Sequence, residues 1–565
     1  MVSSDGAGAP TKFVIVGGVA AGMSAAARAR RLDERAEITV LERGEYVSFA
    51  NCGLPYYVGG EIAERDQLVL HTPLTLKAAL NIDVRLGHEV TGLDSASRTV
   101  TVKNAEGSHE LAYDALILTP GATALRPSIP GLDSPRVRTL RTVDDAVAHR
   151  AAVTGGAAKA VILGAGFIGV EAAEALRLQG LDVSLVELAP HVLPPLEREM
   201  AAPVAAELCG MGIGLHEGVV AEAIEPGTTH DTVVLSDGTR LDADLVVLSV
   251  GVRPDTAVFE GAGVECERGA MIVDEHGRTN LPGVYAAGDA VVQQDRASGL
   301  RRPVPLAGPA NRAGRLIADH ILRPAHARPI PAPVGTAIVR VGSLTVAMTG
   351  GNAVSLDRAG ISYRTLHLHP AHHASYFPGA AQMSLVLHVR AEDGLLLGAQ
   401  GVGTAGVDKR IDVLATALRA GFTVDELIDL DLAYSPVYGS AKDPVNLAGM
   451  IGQNVGEGTL RLRYAQDWEA LRNEVLILDV RSPEEFAAGH FPGAVNIPHT
   501  ELRDRLDEVR SAAGGRAVRA LCGSGVRSHI AHRVLSQAGF DSASLSGGML
   551  TARAVLSSEL FEAAR

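Results

Sequence analysis

The chain has 565 residues, too many for one hydrophobic core, and its 47% hydrophobic and 21% charged content is typical of a multidomain globular protein. Its net charge of −14 argues against general nucleic-acid binding, which needs a basic surface. The N-terminus lacks the apolar segment of a signal peptide, and no apolar run reaches the ~18 residues of a membrane helix, so we expect a cytoplasmic protein that binds neither nucleic acid nor membrane.

The first predicted unit is a strand, a Gly-rich turn and a helix at FVIVGGVAAG, residues 13–22, followed by a strand that ends at Glu42. Glycines let backbone N–H groups approach a pyrophosphate at a helix N-terminus, and the carboxylate can bind a ribose. Val19 occupies the middle glycine position, so a tight turn without a ligand is the alternative. The cofactor residues predicted here are Gly17, Gly18, Gly22, Glu42 and Arg43.

Next comes VSFANCGLPYYVGG, residues 47–60, which holds one cysteine, Cys52. A free cysteine often acts as a small buried hydrophobe. A reactive thiolate without a partner thiol can form a mixed disulfide or persulfide with a substrate, or be oxidised to a sulfenic acid. The other cysteines, Cys209, Cys266 and Cys522, are far away in sequence and form no Cys-x-x-Cys pair, so we expect free thiols and no metal site.

A second unit of the same kind begins at AVILGAGFIG, residues 160–169, and here the G-x-G-x-x-G spacing is complete. A carboxylate at Glu187 closes the following strand, and it favours NAD over NADP because it would repel a 2′-phosphate. The predicted cofactor residues of this unit are Gly164, Gly166, Ile168, Gly169 and Glu187.

Three further strands end in small-residue turns that suit a cofactor site: ALILTPGA, LVVLSVGVRPD and TNLPGVYAAGDAV. The turn residues assigned to the site are Thr119, Gly121, Gly251, Gly288 and Asp289. Asp289 can bind a sugar or ribitol chain, or it can cap a helix.

The second half of the chain shows a change of pattern after a proline-rich connector at residues 323–334. Residues 335–450 alternate as β-strands, with an amphipathic helix around RIDVLATALRAG, and IGQNVGEG at 451–458 is predicted as a linker. A small domain follows, in which RALCGSGVRSHIAHRVL predicts a strand, a Gly-rich loop and a helix. Backbone N–H groups of such a loop, with the helix N-terminus, stabilise an anionic sulfur at Cys522.

Residues 11–450 resemble the flavoprotein disulfide reductases that have two dinucleotide-binding domains. SFANCGLPYYVGG and YSPVYGSAKDPVNLAGM resemble the coenzyme A-disulfide reductases and their persulfide-reductase relatives. The resemblance implies FAD in the first unit, NAD(P)H in the second and a homodimer formed by the third domain; Glu187 favours NADH over NADPH there. It implies Cys52 as the redox cysteine, with Ser48 and Asn51 beside it and Ala307 in VPLAGPANRAGR at the cofactor. It further implies that Tyr438 and Tyr376 reach the site of the partner subunit.

Residues 459–565 resemble a rhodanese domain, in DVRSPEEFAAGHFPGAVNIP and in the loop CGSGVRS. The resemblance implies sulfur transfer at Cys522, with Arg527 closing the loop, while Asp479 and Arg481 are expected to be structural partners. A rhodanese fold used only for interaction is the alternative.

The fold class expected is α/β, with two dinucleotide-binding (Rossmann-like) domains, an α+β dimerisation domain and a C-terminal α/β rhodanese domain. The FAD domain is assigned to 11–150 and 280–325, the NAD(P)H domain to 151–279, the dimerisation domain to 326–450 and the rhodanese domain to 459–565.

The predicted function is reduction of coenzyme A persulfide, polysulfide or coenzyme A disulfide by NADH through FAD and Cys52, with sulfane sulfur exchanged at Cys522. Coenzyme A is expected as substrate or ligand. Arg28, Arg30 and Arg31 of the first helix can reach its phosphates or form a solvated helix face. One alternative is an NADH oxidase or peroxidase, but its relatives place a histidine in the first turn, where VAA stands here. The other alternative is a sulfane-sulfur carrier or sensor.

Overall fold

The computed structural model describes residues 10–467 and 474–561. They form two compact units. The first unit comprises the residues up to Ala189, Gly212–Asp295 and Leu300–Pro333; the second comprises Pro190–Met211, Arg296–Gly299 and the residues from Val334 onward. Among the residues that the structure describes, no helix is long and apolar enough to cross a bilayer.

The first unit contains two five-stranded sheets whose strands run parallel and read as continuous apolar segments, as expected for strands buried on both faces. The first sheet has the order Val284–Ala286, Ala115–Leu118, Lys12–Val16, Glu37–Glu42 and Asp83–Leu86. The second has the order Ile213–Glu217, Asp182–Glu187, Lys159–Leu163, Leu245–Leu248 and Val137–Arg138.

Smaller antiparallel sheets accompany each parallel sheet. They are Glu89–Asp94 with Thr99–Asn104 and Gly107–Ala112; Ala221–Glu225 with Asp231–Leu235 and Arg240–Ala243; and the pairs Ala122–Ala124 with Val252–Pro254, Cys266–Glu267 with Ala270–Met271, and Gln293–Gln294 with Arg301–Arg302. The helices of this unit are Ala20–Leu32, Leu54–Val58, Pro73–Leu80, Val143–Thr154, Phe167–Leu178, Ala257–Gly261 and Ala307–Leu322. Short 3₁₀ turns are Asn51–Gly53, Arg65–Leu68, Gly288–Ala290 and Pro324–His326.

Alanines and glycines allow the first helix to pack closely on helix Ala307–Leu322. Ala25, Ala26 and Ala29 are fully buried, and a Cβ atom on Gly314 would lie 2.0 Å from the carbonyl oxygen of Ala21. The alanine-rich stretch AAARAR is therefore a helix–helix contact that holds the first Gly-rich turn in place.

The second unit holds an antiparallel sheet and a parallel sheet. The antiparallel sheet has the order Ala337–Val341, Leu344–Gly350, Leu396–Gly403, Met383–Arg390 and Tyr363–Leu368; the helices with it are Arg198–Gly210, Ala353–Arg358, Val407–Ala420, Val424–Ile428 and Pro444–Gly456. The parallel sheet has the order Leu462–Arg463, Ser542–Leu545, Ala517–Leu521, Val475–Asp479 and Val495–Asn496; its helices and 3₁₀ turns are Ala465–Asp467, Pro483–Ala487, Leu506–Ala513, Val526–Gln537, Gly548–Val555 and Ser558–Leu560.

Two local expectations differ from the structure. The segment 451–458, predicted as a linker, is mostly the end of helix Pro444–Gly456, because Gly449 and Gly452 pack their backbone against Val424. The segment RSPEEFAAGHFPGAVNIP, predicted as a loop, contains helix Pro483–Ala487, which Ser482 caps by accepting from the Glu485 N–H.

Candidate active site

The turn between the first strand and the first helix is too closely packed for side chains. Gly17 has φ of +97°, and a Cβ there would lie 2.1 Å from the carbonyl oxygen of Thr119. A Cβ on Gly22 would lie 2.0 Å from the carbonyl oxygen of Gly17. The hydroxyl of Thr119 donates to the Val16 carbonyl at 2.6 Å and fixes the other side of the turn. The backbone thus carries no side chain at Gly17 and Gly22, where a pyrophosphate would approach it.

The second Gly-rich turn repeats this construction. Gly164 has φ of +98°, and a Cβ on Gly169 would lie 1.9 Å from its carbonyl oxygen and 2.8 Å from the hydroxyl of Ser249. Gly166, in contrast, has φ of −72° and nothing within 4 Å of a built Cβ. Ile168 is 42% exposed at the start of the helix, and Gly251 also faces open space. The open side at Gly166 is where a dinucleotide would approach the turn.

Both units end their second strand in a glutamate that binds its own Gly-rich turn. The carboxylate of Glu42 accepts from the Gly18 N–H at 2.8 Å, and that of Glu187 accepts from the Ala165 N–H at 2.6 Å. Each carboxylate keeps further lone pairs for ribose hydroxyls. The two turns are therefore equivalent in packing and in hydrogen bonding, and both suit a dinucleotide.

A cavity of about 950 Å³ lies beside the first turn. Its size is at the upper end of the ~300–1,000 Å³ range of ligand sites. The predicted residues that line it are Gly17, Gly22, Arg31, Glu42, Arg43, Ser48, Asn51, Cys52, Thr119, Gly121, Gly288, Asp289 and Ala307. The turn without side chains, the carboxylate of Glu42 and the volume of the cavity fit FAD.

The three arginines of the first helix have different surroundings. Arg28 donates through Nε to Asp319 at 2.8 Å. Arg30 is 4% exposed and donates to backbone carbonyls, among them that of Ala36 at 2.8 Å. Arg31 is exposed and lines the cavity. Of the three, Arg31 is thus the one at the cavity.

Cys52 lies on the 3₁₀ turn Asn51–Gly53 at the cavity wall. The strand-like segment before it is held by Ser48, which has φ of +50°, donates from its N–H to the Gly18 carbonyl at 2.8 Å and accepts from the Leu70 N–H at 3.0 Å. A Cβ on Gly53 would lie 2.9 Å from the side chain of Leu68. The backbone at Cys52 is therefore held in place, although the thiol itself is exposed.

Electrostatics around Cys52 favour the thiol over the thiolate. Although the residue is exposed, the cavity wall removes water from its sulfur, and this burial raises the pKa of the thiol; the carboxylates of Glu171 and Asp289 raise it further. The thiolate needs a compensating positive charge or hydrogen bond to become the main form at neutral pH.

Asp289 faces a cation, Arg141, that no sequence pattern indicated. Arg141 Nη2 lies 3.7 Å from its carboxylate, and both side chains line the cavity. Burial raises the pKa of the Asp289 carboxyl, while Arg141 opposes this rise. Glu171 is likewise a residue that sequence reasoning missed; it accepts from the Tyr56 hydroxyl at 3.1 Å.

Tyr376 and Tyr438 lie on two neighbouring segments of the second unit and are 74% and 73% exposed. The two segments are joined by a hydrogen bond from the Ala374 N–H to the Gly439 carbonyl at 2.9 Å. Tyr434 is also exposed, and its hydroxyl lies 3.5 Å from that of Tyr376. This exposed tyrosine patch is available for contact with another surface.

A buried ion pair supports the tyrosine segments. Arg410 and Asp443 are 1% and 4% exposed in their side chains, and Nη2 of Arg410 lies 2.8 Å from the carboxylate. Arg410 also donates to the carbonyl of His372 at 2.8 Å, and Asp443 caps the last helix of the domain by accepting from Val445 at 3.1 Å. The pair ties helix Val407–Ala420 to both segments.

Cys522 ends strand Ala517–Leu521 and is buried, at 1% exposed. Its sulfur accepts from the Gly525 N–H at 3.2 Å and lies 3.5 Å from the Ser528 hydroxyl. Arg527, at the end of the loop, forms two hydrogen bonds to Glu485 at 2.6 and 2.7 Å. The loop thus directs one backbone N–H, that of Gly525, at the sulfur.

Sequence reasoning missed Glu485, although it stands fourth in the capping sequence SPEE, three residues after the cap Ser482. The expected pair of Asp479 and Arg481 is present, with Nη2 of the arginine 2.6 Å from the carboxylate. Cys209 is exposed on helix Arg198–Gly210, and Cys266 is half-buried in a short strand; all four cysteines are free.

Comparison with protein families assigns each part of the chain. The pyridine nucleotide-disulphide oxidoreductase family matches residues 11–313, the dimerisation domain of the same family matches residues 336–444, and the rhodanese-like domain matches residues 465–551. The expected α/β fold class with these domain types is confirmed.

Individual proteins agree with these assignments. The chain is 34% identical over 444 residues to the coenzyme A disulfide reductase of Staphylococcus haemolyticus, covering 78% of this chain and 98% of that protein. The crystal structure of reduced Bacillus anthracis CoADR-RHD has a TM-score of 0.95 and 39% identity, covering 98% and 99% of the two chains. An NAD-dependent persulfide reductase from A. fulgidus has a TM-score of 0.89 and 36% identity, covering 96% and 99%.

These matches confirm the resemblance seen in the sequence. The chain belongs to the pyridine nucleotide-disulphide oxidoreductase family of FAD- and NAD(P)H-dependent enzymes, and it carries a rhodanese-like domain.

Proposed function

We propose that this enzyme uses NADH to reduce the sulfur–sulfur bond of coenzyme A persulfide, a related polysulfide or coenzyme A disulfide at Cys52. The observation that carries this proposal is the position of Cys52 on the wall of the cavity that fits FAD. None of the other three cysteines, all of which the structure describes, lines that cavity. The names of the relatives, coenzyme A disulfide reductase and persulfide reductase, support the same chemistry.

The chemistry follows from having one thiol. The Cys52 thiolate attacks one sulfur of the substrate, the sulfur–sulfur bond breaks, and the other half leaves as thiolate or hydrosulfide. Bound FAD would carry two electrons from NADH to the resulting mixed disulfide or persulfide. Two electrons and a proton then return Cys52 as thiolate and release the second half of the substrate as a thiol. Asn51, Ser48 and Asp289 shape the wall on which this thiol is presented.

We assign the remaining predicted residues as follows. Gly164, Gly166, Gly169 and Glu187 bind NADH, with the carboxylate favouring a free ribose hydroxyl over a 2′-phosphate. Tyr438 and Tyr376 act in a homodimer as proton donors to the leaving thiolate at the site of a second copy of the chain. Their exposure on the dimerisation domain supports this. Arg31 contributes a positive charge for a phosphate of the bound ligands.

Cys522 exchanges sulfane sulfur as a cysteine persulfide. Its support is the N–H contact to the sulfur and the match to the rhodanese-like domain. The free cysteines suit a reducing compartment, and we propose that the enzyme works in the cytoplasm.

Steady-state kinetics with purified FAD-loaded enzyme test the proposal. NADH oxidation should require coenzyme A persulfide or coenzyme A disulfide, and Cys52→Ser should abolish it while FAD and NADH still bind. Cys266→Ser is the matched control and should keep full activity. NADH oxidation at a rate that depends on neither sulfur substrate, or fast turnover of hydrogen peroxide, would instead favour an NADH oxidase or peroxidase.

A carrier or sensor function has a different signature. If Cys522→Ser abolished cellular sulfane-sulfur handling while Cys52→Ser left it intact, the rhodanese-like domain would be the functional centre. The proposed reductase function would then be wrong.

A further inference from the structure

The loop that surrounds Cys522 offers no uncompensated cation among the residues that the structure describes there. Residues 523–526 are Gly-Ser-Gly-Val, and Arg527 is held by Glu485 through two hydrogen bonds of 2.6 and 2.7 Å. A Cβ on Gly523 would lie 3.4 Å from Nη2 of Arg527, so the guanidinium lies against the loop. The arginine lowers the pKa of the Glu485 carboxyl to about 2, so both partners stay charged at neutral pH and their charges cancel.

The buried charges near the loop are also paired, since Asp479 and Arg481 bind each other at 2.6 Å. Arg533, the next arginine along helix Val526–Gln537, keeps its charge; it donates to the Thr459 carbonyl at 2.9 Å and lines, with Arg503, the far side of Ile530 and not the loop. The N–H of Gly525 and the helix N-terminus can stabilise one negative charge on the sulfur itself. Neither of these groups would neutralise a second or third negative charge on a substrate.

The exposed surface next to the Cys522 loop is apolar. Val526 and Ile530, one turn apart on the helix after the loop, are 68% and 42% exposed, and Leu550 on the next helix is 43% exposed. Large apolar side chains at this exposure form a surface that favours carbon over charged oxygen.

A cavity of about 290 Å³ adjoins the same loop. Ser524, Gly525 and Val526 form one wall, and Leu447 and Met450 of helix Pro444–Gly456 are on the other. Burial and a neighbouring histidine lower the pKa of His369, a further wall residue, to about 4, so this imidazole is neutral at pH 7. The cavity has the size and polarity for a short carbon chain.

We propose that Cys522 takes its sulfur from an organic persulfide with an uncharged carbon chain, and not from thiosulfate. This rests on the sulfur exchange at Cys522 proposed above. The Cys522 thiolate attacks the terminal sulfur of R–S–S–H, a new S–S bond to Cys522 forms, and the S–S bond of the donor breaks. Cys522 becomes a persulfide that keeps the proton, and R–S⁻ leaves with the electron pair, so atoms and charge balance.

Thiosulfate would undergo the same exchange with sulfite as leaving group, but it is a dianion. Its sulfonate would be placed against Val526 and Leu550 beside the loop, where the charge of Arg527 is paired with Glu485. Removing a charged group from water without a partner is costly. We therefore expect an alkyl persulfide to react with Cys522 at least ~100-fold faster than thiosulfate.

The test follows sulfur transfer to full-length FAD-loaded enzyme without NADH, using mass spectrometry of the peptide that contains Cys522. The donors are thiosulfate and a series of alkyl hydropersulfides from methyl to pentyl. The rate constant should rise about fourfold for each added methylene, because each buried CH₂ contributes ~0.8 kcal/mol. A rate that does not depend on chain length would overturn the role of the apolar surface.

Charge variants then test the reason for the discrimination. Glu485→Gln frees the charge of Arg527, and Val526→Lys adds a cation at an exposed position; each should raise the thiosulfate-to-alkyl rate ratio at least ~10-fold. Glu484→Gln, a neighbouring change of the same charge, and Val526→Asp should not raise it. If thiosulfate reacts as fast as the alkyl donors in the unaltered enzyme, this inference is wrong while sulfur exchange stands. If Cys522 gains sulfur from neither donor, the proposed exchange is itself wrong.

Discussion

Two glycines in the second Gly-rich turn should respond oppositely to the same substitution. A Cβ on Gly169 would lie 1.9 Å from the carbonyl oxygen of Gly164 and 2.8 Å from the hydroxyl of Ser249. Gly166 has an ordinary φ of −72° and open space around a built Cβ. Gly169→Ala therefore strains the fold, whereas Gly166→Ala interferes only with a ligand that approaches the turn.

The magnitudes follow from these contacts. The backbone oxygen opposite Gly169 cannot rotate away, so the alanine should cost ~2–3 kcal/mol, near the upper end for overpacking. For a domain of this size that cost lowers Tm by about 5–10 °C. Gly166→Ala should leave Tm unchanged or raise it slightly, because alanine restricts the unfolded chain by up to ~1 kcal/mol. It should nevertheless raise the Kd for NADH at least ~10-fold, because the methyl group occupies the approach to the turn.

The assay measures thermal unfolding and anaerobic NADH binding for each variant, with FAD content as an internal control. FAD content should stay unchanged in Gly166→Ala because the first turn, at Gly17 and Gly22, is untouched. An unchanged Tm in Gly169→Ala, or an unchanged affinity for NADH in Gly166→Ala, would contradict these expectations.

Three further predictions concern charge. Glu171→Gln should lower the pKa of Cys52, because it removes a carboxylate that raises it, and the pH profile of alkylation by iodoacetamide should move to lower pH; an unmoved profile would contradict the assignment. Arg410→Ala should destabilise the dimerisation domain by ~3–5 kcal/mol, because it leaves the Asp443 carboxylate buried and unpaired. Hydrogen exchange in that domain measures this loss, and a loss below ~1 kcal/mol would contradict it. Glu485, whose pKa is lowered from 4.5 to about 2, contributes stability that is present above pH 4.5 and lost as the pH falls towards 2. Acid unfolding of the rhodanese-like domain should be less steep over this range in Glu485→Gln, and equal slopes would contradict the ion pair.

The sequence predicted the parts of the fold that depend on local pattern. Parallel strands appear as short apolar segments, and the two Gly-rich turns follow directly from them, so Gly17, Gly164, Glu42 and Glu187 lie where their spacing placed them. The loop at Cys522 was predictable for the same reason, since it is a strand, a turn and a helix in sequence. The glycines at 451–458 indicated a linker, and this prediction was wrong. In the structure Gly452 lies within a helix and permits close packing on Val424.

The residues that sequence reasoning missed act through contacts between distant parts of the chain. Arg141 meets Asp289 and Glu171 raises the pKa of Cys52 because the fold of the first unit brings together segments of its two parallel sheets, and nothing in their local sequence marks them. The same holds for Arg410 and Asp443, a charged pair that is fully enclosed. Periodicity predicts which face of an element is buried but not which charge meets it.

The most direct test of reduction at Cys52 is the mass of the peptide that contains Cys52 after enzyme with a free Cys52 thiol and oxidised FAD reacts anaerobically with one equivalent of coenzyme A disulfide. We predict one coenzyme A attached to Cys52 through a disulfide, removed when NADH is added. A peptide with Cys52 unmodified, or carrying only a sulfenic acid while coenzyme A is attached elsewhere, would contradict it.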